Sequence, residues 1–100
     1  MSDDDQAVLA TPPALPAKPC LNRRMRMQWE EAQQCYVLLY PEGMVRLNGT
    51  ASEILKCCDG ATSVPDIIAM LEQKFNMPSL KADVEGLLGH AYEKDWIQEA

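Results

Sequence analysis

Apolar and polar side chains alternate strictly between Arg24 and Trp29. The apolar members are Met25, Met27 and Trp29, and an arginine or a glutamine separates each from the next. A period of two is typical of a β-strand that buries one face. We therefore predict a first strand here, ended by the polar turn at 30–34.

Two further strands are predicted after this turn. Cys35–Tyr40 is a continuous run of β-branched, aromatic and other apolar residues, which is typical of a strand covered on both faces. Pro41-Glu42-Gly43 has the composition of a tight turn, because proline presets φ and glycine tolerates positive φ. Residues 44–47 then form a short third strand, and the three strands make an antiparallel meander.

A first helix is predicted to begin at Thr50. Thr50-Ala51-Ser52-Glu53 is a capping box, in which the threonine hydroxyl and the glutamate carboxylate satisfy free backbone amides of the first turn. The helix is expected to end at Asp59-Gly60, because glycine readily adopts the left-handed conformation found at helix ends.

Two more helices follow, and each has a start signal of its own. Ser63 is the expected cap of the second helix, which carries Pro65 in its first turn and is broken by Pro78. Ser79 is the expected cap of a third helix over residues 80–94. The apolar residues of this helix recur every three or four positions and form one stripe: Leu80, Val84, Leu87, Leu88 and Ala91.

These elements predict a small winged-helix-like domain of the α+β class, a three-stranded antiparallel meander followed by three helices. We assign it to residues 20–100. Residues 1–19 carry four of the seven prolines of the chain among alanines and an acidic tip. This composition is typical of an extended linker, so residues 1–19 are predicted to be a disordered tail or linker.

Charge separates this domain from winged helices that bind DNA. The chain has 15 acidic and 9 basic residues and a net charge of −6. The helix that would enter the major groove carries Lys81 and Lys94 against Asp83, Glu85 and Glu93, whereas phosphate contacts require a basic surface. A DNA-binding regulator is therefore kept as an alternative only, and no nucleic-acid partner is expected.

The sequence also predicts a cytoplasmic protein without a membrane partner. The chain begins Met-Ser-Asp-Asp-Asp, which is acidic where a secretory signal is basic, and it has no apolar run of the ~20 residues that cross a bilayer. In that compartment the cysteines are expected to be free thiols. They are Cys20, Cys35, Cys57 and Cys58.

No arrangement of residues indicates catalysis or a bound cofactor. The cysteines have neither the spacing of a zinc site nor a histidine in a recognisable signature. The single histidine, His90, lies off the apolar stripe of the third helix, and no glycine-rich phosphate loop is present. We therefore predict a binding module with no catalytic residue, no cofactor and no metal.

The stretch from Val37 to Gly60 resembles the family of pyrroloquinoline quinone biosynthesis protein D. The likeness continues through residues 67–75 and 83–84 and ends at Asp95-Trp96-Ile97, so that it covers residues 18–98. Asp95 stands where the family often has glycine, and the proline-rich tail has no counterpart in the family. The matching motifs are Leu38-Leu39-Tyr40-Pro41-Glu42-Gly43, Leu47-Asn48, Thr50-Ala51, Glu53-Ile54-Leu55 and Asp59-Gly60.

The resemblance implies a peptide chaperone in pyrroloquinoline quinone (PQQ) biosynthesis. Members of the family bind the ribosomal precursor peptide of the cofactor and present it to a radical S-adenosylmethionine enzyme, which cross-links a glutamate and a tyrosine of the peptide. Related domains recognise the leader peptides of other peptide-modifying pathways, and that function is a second alternative.

The resemblance further implies that the peptide adds as a strand between the third strand and the third helix. An open sheet edge offers backbone hydrogen bonds, and side-chain pockets set the register. Either Val45 and Leu47 or Met44 and Arg46 face this groove, and the stripe residues of the helix fit the core as well as the groove. The predicted peptide-binding residues are Met44, Val45, Arg46, Leu47, Asn48, Asp83, Val84, Leu87 and Ala91.

Overall fold

The computed structural model describes residues 15–100, and the predicted sheet and helices are present in it. The meander and the three helices confirm the α+β winged-helix-like class. In chain order, the elements of these residues are β1 (Pro19–Leu21), β2 (Arg26–Glu30), β3 (Cys35–Tyr40), β4 (Gly43–Arg46), α1 (Gly49–Lys56), α2 (Val64–Phe75), α3 (Lys81–Glu93) and β5 (Ile97–Glu99).

The larger sheet is the antiparallel meander β2-β3-β4, with β3 in the middle. Leu38 of β3 lies between Met27 of β2 and Val45 of β4, and it is fully buried beneath the helices. Val37 points to the opposite face and is also fully buried. Both faces of β3 are therefore covered at its centre, as its uninterrupted apolar sequence predicted.

One apolar core joins this sheet to the three helices. Burying a leucine or isoleucine side chain contributes roughly 1.5–3 kcal/mol to the free energy of folding. This cluster therefore supplies most of the free energy that holds the sheet against the helices. The stripe predicted for α3 is confirmed: Val84, Leu88 and Ala91 are buried, while Leu80 and Leu87 pack at the margin of the core. The best-buried members from the other elements are Leu38, Ile54, Leu55, Ile67 and Ile97.

A second, two-stranded sheet was not predicted. β1 pairs with β5 in antiparallel register, with Pro19 opposite Glu99. Residues just before β1 are also packed, since the carbonyl oxygen of Ala17 accepts a hydrogen bond from the Val64 N–H (3.3 Å). Ala17 and Pro19, which the prediction assigns to the tail, therefore contact the folded domain. The predicted disorder of residues 1–14 lies outside the described residues.

The start of α1 also differs from the prediction. Asn48, not Thr50, is the N-cap, and its Oδ1 accepts a hydrogen bond from the Ala51 N–H (2.7 Å). Thr50 lies within the first turn of the helix. The other member of the expected capping box, Glu53, binds Lys74 and Lys56 instead of the backbone.

The predicted N-cap is present in α2 but not in α3. Ser63 caps α2 as predicted, because its Oγ accepts a hydrogen bond from the Asp66 N–H (3.3 Å). Ser79 does not cap α3: it has a φ of 65°, and the N-cap position belongs to Leu80, which has no capping side chain. The Leu80 N–H donates instead to the Glu72 carboxylate (2.9 Å), so a side chain of α2 satisfies the start of α3.

Candidate functional site

β4 presents an open edge in the part of the chain that the structure describes, because its only strand partner there is β3. The Leu47 N–H donates to the Tyr36 carbonyl oxygen (2.9 Å), which fixes the hydrogen-bonding phase of the β3–β4 pair. Antiparallel partners alternate between bonded and non-bonded pairs. Val45 and Leu47 therefore direct their backbone groups to β3, whereas Met44 and Arg46 each direct one N–H and one C=O to the open side.

The same register decides which side chains of β4 face the helices. Val45 lies opposite Leu38, on the face that packs against the core, and Leu47 follows it there with only 5% of its surface exposed. Met44 and Arg46 point to the other face and are exposed. Of the two predicted sets, Val45 and Leu47 therefore line the helix side of the edge.

Arg46 holds the positive charge beside this edge. Its Nη1 donates to Gln33 Oε1 (2.9 Å), and no carboxylate pairs with it among residues 15–100. A neutral partner leaves the charge of the guanidinium uncompensated, so an acidic side chain on an added strand would find a free counter-charge there.

The predicted residues of α3 divide between surface and core. Asp83 is exposed in the first turn of the helix, and Leu87 is half-buried at the margin of the core. Val84 and Ala91 are 1% and 0% exposed, so they belong to the core and offer almost no surface to a ligand. The accessible helix side consists of Asp83 and Leu87.

A cleft lies between the start of α1 and the start of α3. Its volume is about 450 Å³, and its walls include Gly49 and Thr50 on one side and Asp83 and Val84 on the other. Gly49 directly follows Asn48, the last predicted residue of the strand side. The cleft was not predicted, because its walls come from segments far apart in the sequence.

The adjacent thiols of Cys57 and Cys58 are not activated nucleophiles. Burial raises the pKa of the Cys58 thiol to about 12, and burial also raises the pKa of the neighbouring Cys57. Both thiols are therefore protonated near neutral pH. Residues 15–100 hold no group of three or more His, Cys, Asp or Glu side chains that could bind a metal ion. Their helices are each too short or too polar to cross a bilayer.

An open strand edge on a winged-helix-like scaffold defines a module suited to holding an extended peptide. The model of one protein family, coenzyme PQQ synthesis protein D (PqqD), matches residues 35–97 of this chain. The chain belongs to the PqqD family.

Relatives in three bacteria are named PqqA binding protein. That of Methylococcus capsulatus is 48% identical, over 79% of this chain and 85% of its own length. That of Pseudomonas aeruginosa is 46% identical, over 86% of this chain and 95% of its own length. That of Acinetobacter baylyi is 49% identical, over 79% of this chain and 81% of its own length.

A solved structure shares the fold. It is the solution NMR structure of the PqqD part of Methylobacterium extorquens PqqCD, with a TM-score of 0.72 and 28% sequence identity. The superposition covers 86% of this chain and 96% of that one. That domain is described as a functional, stand-alone recognition element for ribosomally synthesised and post-translationally modified peptides.

Proposed function

We propose that this protein binds the precursor peptide of PQQ biosynthesis as a strand added to β4, and presents it to the radical S-adenosylmethionine enzyme that cross-links it. The observation that carries the proposal is the outward direction of the backbone groups of Met44 and Arg46. The protein acts as a cytoplasmic peptide chaperone and not as a catalyst.

The relatives support the choice of peptide. Several proteins that are 46–49% identical to this chain are named for binding PqqA. This favours the PQQ precursor over the leader peptide of another modification pathway. The DNA-binding alternative finds no support in α3, where Lys81 is followed by Asp83 and Glu85.

Strand addition explains how one small surface holds a flexible peptide. Backbone hydrogen bonds to Met44 and Arg46 contribute affinity whatever the sequence of the peptide, and the side chains on either side of the edge select it. Val45 and Leu87 contact apolar residues on the helix side. Arg46 binds an acidic residue on the other face, and Asp83 binds a basic one.

An isotope-labelled sample titrated with a synthetic PqqA peptide from Methylococcus capsulatus tests the binding mode. We expect the largest changes in backbone amide shifts at Met44, Arg46 and the residues of α3 that face them. The amide hydrogens of Met44 and Arg46 are expected to exchange more slowly in the complex, because they become hydrogen-bonded. A scrambled peptide serves as the control.

Arg46→Pro removes the outward N–H at the edge, where proline is tolerated in a strand. Arg46→Ala removes the same side chain and keeps the N–H. We expect the proline variant to bind the peptide about tenfold more weakly than the alanine variant, the value of one to two hydrogen bonds. Equal affinities for the two variants, with shift changes outside β4 and α3, would rule out strand addition.

A further inference from the structure

The cleft between α1, α2 and α3 is apolar at its base. Its floor and walls include Ile54, Leu71 and Leu80, and its volume of about 450 Å³ lies within the range of ligand pockets. Phe75 and Met77 stand at its mouth with 43% and 52% of their surfaces exposed. Two large apolar side chains left open to solvent at the entrance of an apolar pocket indicate a surface that a ligand covers.

This cleft continues the proposed peptide edge. Gly49 in its wall lies three residues beyond Arg46, roughly 10 Å along an extended chain. Asp83 belongs both to the cleft and to the accessible helix side of the predicted groove. A peptide strand that pairs with β4 and continues past Arg46 therefore reaches the mouth of the cleft.

The charges around the cleft are acidic, and they limit which side chains can bind there. The charged residues that line it are Glu53 and Asp83, and no basic residue is among the described lining residues. Glu53 is paired with Lys74 and Lys56, whereas Asp83 has no ion-pair partner within residues 15–100. An apolar side chain matches the base of the cleft, and a lysine or arginine next to it matches the carboxylate of Asp83.

We propose that this cleft is a specificity subsite, which takes one large apolar side chain of the bound precursor peptide and orients a neighbouring basic residue towards Asp83. The proposal rests on the proposed function, because the peptide strand on β4 delivers the side chain to the cleft. It adds a second determinant beyond the groove between β4 and α3. The subsite sets the register in which the peptide is presented.

Gly49→Leu tests the proposal by filling the cleft from its own wall. A Cβ at Gly49 meets no atom within 4 Å, and the residue has no left-handed φ, so a side chain can be added there without strain on the backbone. Gly86→Leu is the matched control: Gly86 is equally open but lies on α3 outside the cleft. We expect Gly49→Leu to weaken PqqA binding about tenfold or more, and Gly86→Leu to leave it within about twofold.

A series of PqqA peptides, each with one apolar residue changed to alanine, identifies the side chain. One of them should bind wild-type protein about tenfold more weakly, yet show no further loss with Gly49→Leu, because both changes remove the same contact. Asp83→Asn should weaken binding less when a basic residue next to that position is also changed to alanine. Unchanged affinity of Gly49→Leu would overturn the subsite.

The two proposals fail in different ways. If wild-type protein does not bind PqqA, or binds it without changes at Met44 and Arg46, the proposed function or its strand addition fails. If the peptide protects those amides but leaves Phe75 and Met77 unperturbed, the subsite alone fails. Shifts of Phe75 and Met77 that change on dilution without peptide would assign the cleft to a second copy of the chain and overturn the proposal.

Discussion

Asn48 lies two residues after β4 and begins the first helix with its side chain. Its Oδ1 accepts the hydrogen bond that caps α1, and only Leu47 separates it from the last residue of β4. We expect Asn48→Ala to lower the free energy of unfolding by about 1 kcal/mol, the usual value of an N-cap. Thr50→Val should change it little, because the Thr50 hydroxyl does not cap the helix. Urea denaturation of both variants measures the difference.

Asn48→Asp keeps the accepting oxygen and is the control, so it should retain most of the stability of the wild-type protein. A larger loss for Thr50→Val than for Asn48→Ala would contradict the assignment. The sequence prediction chose Thr50 because only Thr50 is followed three residues later by a glutamate, as the capping box requires. Asn48 is an equally good capping residue, and its position after β4 makes it the cap.

Asp95 shows how a departure from the family pattern is accommodated. It has a φ of 64° at the end of α3, the left-handed conformation that glycine adopts most readily. Aspartate is among the few other residues that tolerate this region. The Asp95 carbonyl oxygen also accepts a hydrogen bond from Asn22 Nδ2 (3.0 Å). The last turn therefore keeps the conformation that a glycine would allow.

Among the elements, α1 and α2 are tied together by one ion pair. Glu53 Oε1 lies 2.6 Å from Lys74 Nζ, and this hydrogen bond holds the pKa of Glu53 below its ordinary value of 4.5. A lowered folded-state pKa stabilises the protein above the ordinary value, and the contribution is lost as pH falls through the folded-state pKa. Acid should therefore loosen the contact between the two helices.

A double-mutant cycle of Glu53→Gln and Lys74→Met measures this coupling. We expect about 0.2–1 kcal/mol near neutral pH, since Lys74 is largely exposed and solvent screens the pair. The coupling should shrink as the pH is lowered below about 4. The same cycle with Lys81→Met, a lysine not paired with Glu53, should give no coupling. A coupling that stays constant into acid would show that the pair is not ionic.

The elements differ in how far their sequences predict them. β2, α2 and α3 follow from periodicity, because each buries one stripe or face against the core. β3 follows from its uninterrupted apolar run, and α1 follows from the signals at its two ends. β1 and β5 do not, since each has three residues and finds its partner at the other end of the chain. The stripe of α3 identified Val84 and Ala91 without showing that they lie in the core. The cleft is defined by packing alone, so no local pattern contains it.

At the scale of the whole molecule, the pairing of β1 with β5 closes the domain. The carbonyl oxygen of Pro19 also accepts a hydrogen bond from Gly60 (2.9 Å), and Ala17 is bonded to both α2 and β5. A chain that starts at Arg23 loses these contacts, whereas one that starts at Leu15 keeps them. We expect the shorter chain to be less stable by roughly 2–4 kcal/mol, from several lost hydrogen bonds and buried apolar surface.

Thermal and urea unfolding of the two chains test this prediction. A third chain that starts at Cys20 keeps two residues of β1 and should fall between them. Equal unfolding midpoints for all three chains would show that β1 contributes nothing to stability. Peptide binding by the longest chain checks that the open edge of β4 survives truncation.

The pairing of Pro19 with Glu99 also has a consequence for how such a domain is tethered. The chain segments that lead to a protein fused before β1 and to one fused after β5 would start side by side at the same small sheet. Moving a fusion from one terminus to the other would therefore attach it at the same end of this two-stranded sheet. Because β1 pairs with β5, a second protein joined to either end of residues 15–100 would meet the domain at the same place.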